Sequence, residues 1–430
     1  MAASTLRDVI SSVVEAGKGI LSRRRIASGE NAGETLQVMC RELLSHRGEA
    51  SGLALASEVA NAYIALAKEE RLSFFKVLAE DFDVEQGNLA AAARAYCDNP
   101  GHEQLNALTR AVETPRTRLF RRINMAPGGT RTLVTMRGQL LKLLREHPEL
   151  RCVDTDLKKL FISWFNKGFL EMREITWQTP AHILEKIIQY EAVHKIDGWD
   201  DLRARLQSDR ACYAFFHPVM DDDPLVFVEV AFVDAIPEAI GPLLENDRAH
   251  MDTASADTVV FYSISNCHAG LAGVSFGNFL IKQVVEEVRS EHPGVGTFVT
   301  LSPVPGFRKW LLDARLDDLV APELVEKIKQ PVGQVVEAEV RDALMKLCAH
   351  YLLEVKSGGL AKDPVARFHL GNGARLHRLL WAADLSAKGK DQSAGIMVNY
   401  LYDLGRIESN HDEYFDQGTI AVSKTVSRWL

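Results

Sequence analysis

Through most of the first 165 positions, apolar residues recur at three- and four-residue spacing, the period that turns one face of an α-helix toward a core. GETLQVMCRELLSH (33–46), SGLALASEVANAYIALAKEERLSFFKVLAEDF (51–82) and TLVTMRGQLLKLLREHPEL (132–150) all carry it. Leu6, Val9, Ile10, Val13 and Val14 extend it to one helix face near the start. Gly and Pro break the pattern at DNPGH (98–102) and APGGT (126–130), where turns are expected. No fixed repeat period and no catalytic constellation accompanies these helices. Residues 1–164 are therefore expected to form an all-α bundle devoted to packing or assembly.

The period changes after residue 164. ACYAFFHP (211–218), LVFVEVAFV (225–233) and DTVVFYSIS (257–265) are short, rich in Val, Phe and Tyr, and separated by polar turns. They predict three strands in an antiparallel meander. A Gly-containing loop follows, then a helix, NFLIKQVVEEVRSEHPG, with Phe279, Leu280, Val284, Val285 and Val288 on one face. A fourth strand, TFVTLSP (297–303), and another helix, FRKWLLDARL, complete the series. This order predicts an α/β (α+β) domain over 165–430, with the loop at the start of a helix.

Composition narrows the function. With 47% hydrophobic and 25% charged residues, the 430-residue chain reads as globular and long enough for two or three cores. Its net charge of -8 argues against bulk electrostatic binding of nucleic acid. Six cysteines occur without a C-x-x-C pair, so neither a structural zinc site nor a redox dithiol is expected. No apolar run approaches the roughly 20 residues needed to cross a bilayer. Asp8 and Glu15 interrupt what a transit peptide would keep free of acids, and SRWL at the other end is not a peroxisomal address, so a cytoplasmic location is expected.

The loop contains GVSFG (273–277), which matches the G-x-S-x-G pattern of a hydrolase elbow. An elbow places its serine at the turn directly after a strand, whereas here NCHAG separates the strand VVFYSIS from Ser275. A small-residue loop entering a helix suits another purpose. The unpaired N–H groups and partial positive charge of the helix start form a cradle for a phosphate or pyrophosphate, and Gly273 and Gly277 let the backbone approach it.

Three separated stretches, GLAGVSFGNFLIK, TLSPVPGF (300–307) and ARFHLGNGARLHRLLWAADLSAKGKDQSAGIMVNYLYDL (366–404), together resemble the malonyl-CoA decarboxylase family over most of 165–430. The resemblance implies an N-terminal helical domain for oligomerisation and a catalytic domain with the Gcn5-related N-acetyltransferase fold. It further implies malonyl-CoA as substrate, acetyl-CoA as product, a tetramer, and no metal or organic cofactor. The acetyltransferase loop pattern Q/R-x-x-G-x-G/A falls on Ala272, Gly273, Val274, Ser275, Phe276 and Gly277, departing at Ala272 and Ser275; Asn278 then opens the helix. By the same resemblance Ser302 matches the catalytic serine, a proton acceptor, and His369 the catalytic histidine, a proton donor.

This chemistry fits the residue types. Decarboxylation of a malonyl thioester leaves an electron pair that the thioester delocalises as an enolate, so an oxyanion partner and a proton source suffice. Other candidates are His217 at a strand end, Asn399 and Tyr400 for the thioester pocket, and Lys282, Arg308 and Lys309 for the phosphates of CoA. Trp381 and Phe368 are expected in the core. Cys267 and His268, as sequence neighbours in an extended segment, point apart and do not make a nucleophile and base. An acyl-CoA N-acyltransferase and a non-catalytic malonyl-CoA sensor are the alternative functions.

Overall fold

The computed structural model describes residues 32–46, 48–274, 279–333 and 336–430. The expected helix face from Leu6 to Val14 lies outside them, as do Ser275, Phe276, Gly277 and Asn278 of the loop. The described residues form two units: those of 32–170 with His217–Asp222 and 268–274, and those of Glu171–Phe216 with Asp223–Cys267 and 279–430.

The first unit is helical, as its 3.6-residue period predicts. Helices run over Ala32–Ser45, Glu49–Ala65, Lys68–Glu80, Gln86–Asp98, His102–Val112, Pro115–Asn124, Gly129–Leu143 and Arg151–Trp164. Both predicted breaks are present. At the second, Gly128 adopts φ 72°, and a Cβ on Gly129 would lie 1.8 Å from the Ile123 carbonyl oxygen, so two glycines are needed there. Leu36, Leu55, Phe75, Phe120, Leu133, Leu157 and Phe161 fill the core. The hairpin Gln86–Asp98 and His102–Val112 differs, because neither helix buries a residue.

The second unit is built on a sheet in which β1 (Glu171–Ile175), β2 (Arg210–Phe216), β3 (Val226–Val233) and β4 (Thr258–Asn266) form an antiparallel series. The meander expected from the sequence is β2–β4. The additional strand β1 was not signalled, because EMREI carries three charged residues and buries only Ile175 well. Such a composition is tolerated at a sheet edge, where a strand has one neighbour. β5 (Thr297–Thr300) runs parallel to β4, joined to it through the helix Phe279–Glu291, which buries Leu280, Ile281, Val284, Val285 and Val288. Beyond β5 lie β10 (Met397–Leu401) and β6 (Ser302–Pro303), β9 (Arg375–Leu380) also pairs with β10, and β7 (Lys356–Ser357) pairs with β8 (Leu360–Ala361) in a separate two-stranded sheet. TFVTLSP is thus two strands rather than one, broken at Leu301, and the site forms at this break.

Among the described residues, no helix is long and apolar enough to cross a membrane.

Candidate active site

β10 pairs with β5 at Leu401 and Val299, and with β6 at Val398 and Ser302, leaving Thr300 and Leu301 between the two ladders. Leu301 stays bonded to β4 through its N–H to the Phe261 carbonyl, at 3.0 Å. One side chain and one backbone N–H from β10 complete the junction. Asn399 Nδ2 donates to the Thr300 carbonyl at 2.9 Å, and the Tyr400 N–H donates to Thr300 Oγ1 at 3.1 Å. Residues two apart share a face of an extended chain, so Thr300 and Ser302 lie together. The Ser302 hydroxyl donates to Thr300 Oγ1 at 2.9 Å.

His369 comes from a different element, the last turn of the helix Pro364–Gly371. Asp363 caps that helix, and Pro364 at its first position has no N–H to satisfy. The imidazole Nε2 lies 3.1 Å from Ser302 Oγ, and Nδ1 lies 2.8 Å from the Tyr402 hydroxyl. Tyr400 stacks on the ring at 4.7 Å between centroids, and Phe368 meets it edge-on at 5.2 Å. The side chain is nearly sealed from solvent, with 3% of the residue exposed. Burial disfavours the imidazolium and holds the pKa down to about 3. Burial also pushes the Tyr402 hydroxyl well above its ordinary value, so it stays protonated.

The bond from Ser302 to Thr300 assigns the tautomer of the ring. With the single Ser302 proton given to Thr300, Nε2 must carry hydrogen and donate to Ser302 Oγ. Nδ1 then accepts from Tyr402. The result is a directional chain, Tyr402 to His369 to Ser302 to Thr300, that holds one N–H donor beside one hydroxyl in a dry site.

The proposed CoA loop is only partly described. Ala272, Gly273 and Val274 belong to the helical unit, and Gly273 adopts φ 70°, as its glycine identity allows. Arg137, almost fully buried, donates from Nη1 to the carbonyls of Gly270 at 2.6 Å and Ala272 at 2.9 Å, while its Nε meets Asp154 at 2.7 Å. A Cβ on Gly270 would lie 1.8 Å from the Val134 carbonyl oxygen, so the approach of the loop to its supporting helix requires glycine. The Lys158 ammonium lies beside Gly273, 3.2 Å from where a Cβ would stand. The helical unit therefore carries part of the loop, which its lack of catalytic motifs did not suggest.

Other sequence candidates resolve differently. His217 accepts the Val219 N–H at Nδ1 and shapes a turn within the helical unit. The Arg308 guanidinium is committed to the carbonyls of Ile328 and Lys329, at 3.0 Å each. Lys282 pairs with Glu408, and Lys309 is exposed. Cys267 is buried and its thiol is pushed up by burial, which disfavours the thiolate. Trp381 and Phe368 are half-buried rather than core residues, and Phe368 meets the His369 ring edge-on. Thr300, Tyr402, Asp363 and Arg137 escaped the sequence reading. Only Tyr402 left a signal, being two residues beyond Tyr400 and just past the end of β10.

Comparison with known proteins gives concordant results. Residues 82–165 match the malonyl-CoA decarboxylase N-terminal domain and residues 168–430 the malonyl-CoA decarboxylase C-terminal domain. The mitochondrial malonyl-CoA decarboxylase of Anser anser anser is 35% identical over 84% of this chain and 80% of its own length. Its Rattus norvegicus counterpart is 35% identical over 83% and 81%. The crystal structure of malonyl-CoA decarboxylase from Rhodopseudomonas palustris superposes with a TM-score of 0.88 at 49% identity, covering 93% of this chain and all of that one. For the Agrobacterium vitis protein the TM-score is 0.84 at 46% identity, with coverages of 92% and 99%.

Proposed function

Because the chain belongs to the malonyl-CoA decarboxylase family, a carboxy-lyase that converts malonyl-CoA to acetyl-CoA and carbon dioxide, we propose that Ser302 and His369 are the pair that handles the proton. The observation that carries this is the 3.1 Å contact between Ser302 Oγ and His369 Nε2 in a buried site.

Decarboxylation breaks the bond between the carboxylate and the α-carbon, and its electron pair passes into the thioester carbonyl as an enolate. One proton must then reach carbon, and the net reaction takes one from solvent. The neutral ring holds its hydrogen at Nε2, with Ser302 Oγ as the acceptor that aims it. A malonyl carboxylate beside the ring favours a second proton at Nδ1, where the Tyr402 hydroxyl can turn from donor to acceptor. The imidazolium then gives the Nε2 hydrogen to carbon and is left neutral. The described part of the loop, Ala272 to Val274, together with Ser275, Phe276, Gly277 and Asn278, is proposed to cradle the CoA pyrophosphate.

Mass spectrometry of malonyl-CoA incubated with the wild type, Ser302→Ala and His369→Ala tests the pair. Losses of roughly 10²- to 10⁴-fold are expected. Full activity in both variants would remove these residues from the mechanism.

We further propose that the enzyme needs neither metal nor organic cofactor, is cytoplasmic, and assembles as a homo-oligomer, a tetramer, through its helical unit. Supporting the last point, the Gln86–Asp98 and His102–Val112 hairpin buries no residue and leaves Leu105 and Val112 exposed by 44% and 55%. Light scattering of Leu105→Asp/Val112→Asp should show smaller particles than the wild type if the hairpin is an assembly surface.

A further inference from the structure

We infer that Asp363 is a positioning residue for decarboxylation: its carboxylate pins the turn after Ser302 to the start of the helix that carries His369, and thereby sets the spacing between hydroxyl and imidazole. This rests on the assignment of Ser302 and His369 as the reacting pair.

Asp363 is completely buried. Its Oδ1 accepts the N–H groups of Val365 and Ala366, each at 3.0 Å, which is an ordinary helix cap. Its Oδ2 does something a cap does not require, accepting the Gly306 N–H at 3.1 Å across 57 positions of sequence. Both segments leading from this pin to the reacting atoms are stiff. Between Ser302 and Gly306 stand Pro303 and Pro305, each with a fixed φ, and the Val304 N–H is held by Ser393 Oγ at 3.3 Å. On the other side His369 is six positions along a single helix, a rise of about 9 Å without a flexible joint. A displacement at the pin is therefore passed to the contact between Ser302 and His369 rather than absorbed.

The turn is closed from behind as well. A Cβ on Gly306 would stand 2.2 Å from the Tyr351 hydroxyl and 3.2 Å from Asp363 Oδ2, so the residue whose N–H is captured must be glycine. The choice of side chain is informative too. Ser, Thr or Asn caps a helix as well as Asp does, without placing a carboxylate in the interior. Burial raises the Asp363 pKa, and only backbone N–H groups oppose it, with no cation contributing. What a carboxylate adds over those caps is a second acceptor oxygen aimed at a second segment.

Asp363→Asn and Asp363→Ser separate the two duties. Both retain a capping oxygen, but Asn turns an N–H₂ donor on the Gly306 N–H and Ser cannot reach it. Steady-state kinetics with malonyl-CoA should show kcat reduced by roughly 10- to 10²-fold, with KM within about twofold of the wild type, because the substrate still binds while the reacting groups are misplaced. Circular dichroism at the assay temperature should show both variants folded, with a lowered melting temperature because the buried Gly306 N–H loses its acceptor. Ser302→Ala and His369→Ala are measured alongside. If those two lose activity while both Asp363 variants keep full kcat, the pin has no positioning role although the pair stands. If the kcat loss merely follows a loss of folded protein, Asp363 is only a cap and the inference fails. If Ser302→Ala and His369→Ala are both fully active, the pair itself is wrong and the inference falls with it.

Discussion

Burial of His369 makes a quantitative claim about acid stability. In the folded protein its pKa is held down to about 3, against an ordinary value near 6.5. The ring is thus neutral in the native state when it is already protonated in the unfolded chain. A depressed folded pKa contributes stability that is fully present above the unfolded pKa and lost as pH falls toward the folded one. Between about pH 7.5 and about pH 4.5 the unfolded histidine takes up its proton almost completely while the native one does not. The difference corresponds to about two pKa units, or roughly 2 to 3 kcal/mol of unfolding free energy removed by this one residue.

Other buried groups titrate in the same range, His194 among them, with its pKa lowered by burial to about 4. The informative quantity is therefore the pH slope of the wild type minus that of His369→Asn, in which the contribution of the ring is deleted and the others remain. Urea unfolding followed by circular dichroism at several pH values gives both slopes. ¹³C-histidine NMR, with the resonance assigned by the same variant, reports the ring directly. The wild type should lose the extra 2 to 3 kcal/mol, about two-thirds of it below pH 6, and the His369 resonance should not shift above about pH 4.5. Parallel slopes, or a resonance that titrates near 6.5, would show that the ring is not neutral by burial. The picture of a dry site closed around His369 would then have to be abandoned.

Two further substitutions probe the surroundings of the pair. Tyr402→Phe leaves the buried Nδ1 without its donor and should lower kcat by roughly 10- to 10²-fold with little change in KM, consistent with about 1 to 3 kcal/mol for an unsatisfied buried group; unchanged kcat would show that ring orientation does not depend on the hydroxyl. Arg137→Met removes the cation that holds the Gly270 and Ala272 carbonyls, and should raise KM for malonyl-CoA about tenfold or more with a smaller effect on kcat. A kcat defect with normal KM would argue that this loop does not bind CoA.

The helical half and the β2–β4 meander were legible in the sequence because each has a period that burial imposes on neighbouring residues. Local pattern also explains the failures. β1 is an edge strand with mostly exposed side chains, so nothing in EMREI had to be apolar. TFVTLSP was apolar enough for one strand, and only its partners reveal the break. Leu301 bonds to β4 while Thr300 and Ser302 are engaged by β10, about 100 positions downstream.

The site follows the same logic over longer distances. Ser302 and His369 are 67 positions apart, and each could be singled out only because it stood in a stretch resembling a known family. Their supports carry no such mark. Tyr402 acts on a ring 33 positions away, Asp363 on an N–H 57 away, and Arg137 on a carbonyl 135 away in what the sequence presents as an inert helix. Each is a common residue type in an unremarkable local pattern, and its role exists only in the fold. A residue that touches the reaction is constrained in its own chemistry, whereas a residue that positions it needs only one atom in the right place. The positioning layer is therefore where this sequence says least about its function, and where the substitutions above discriminate most.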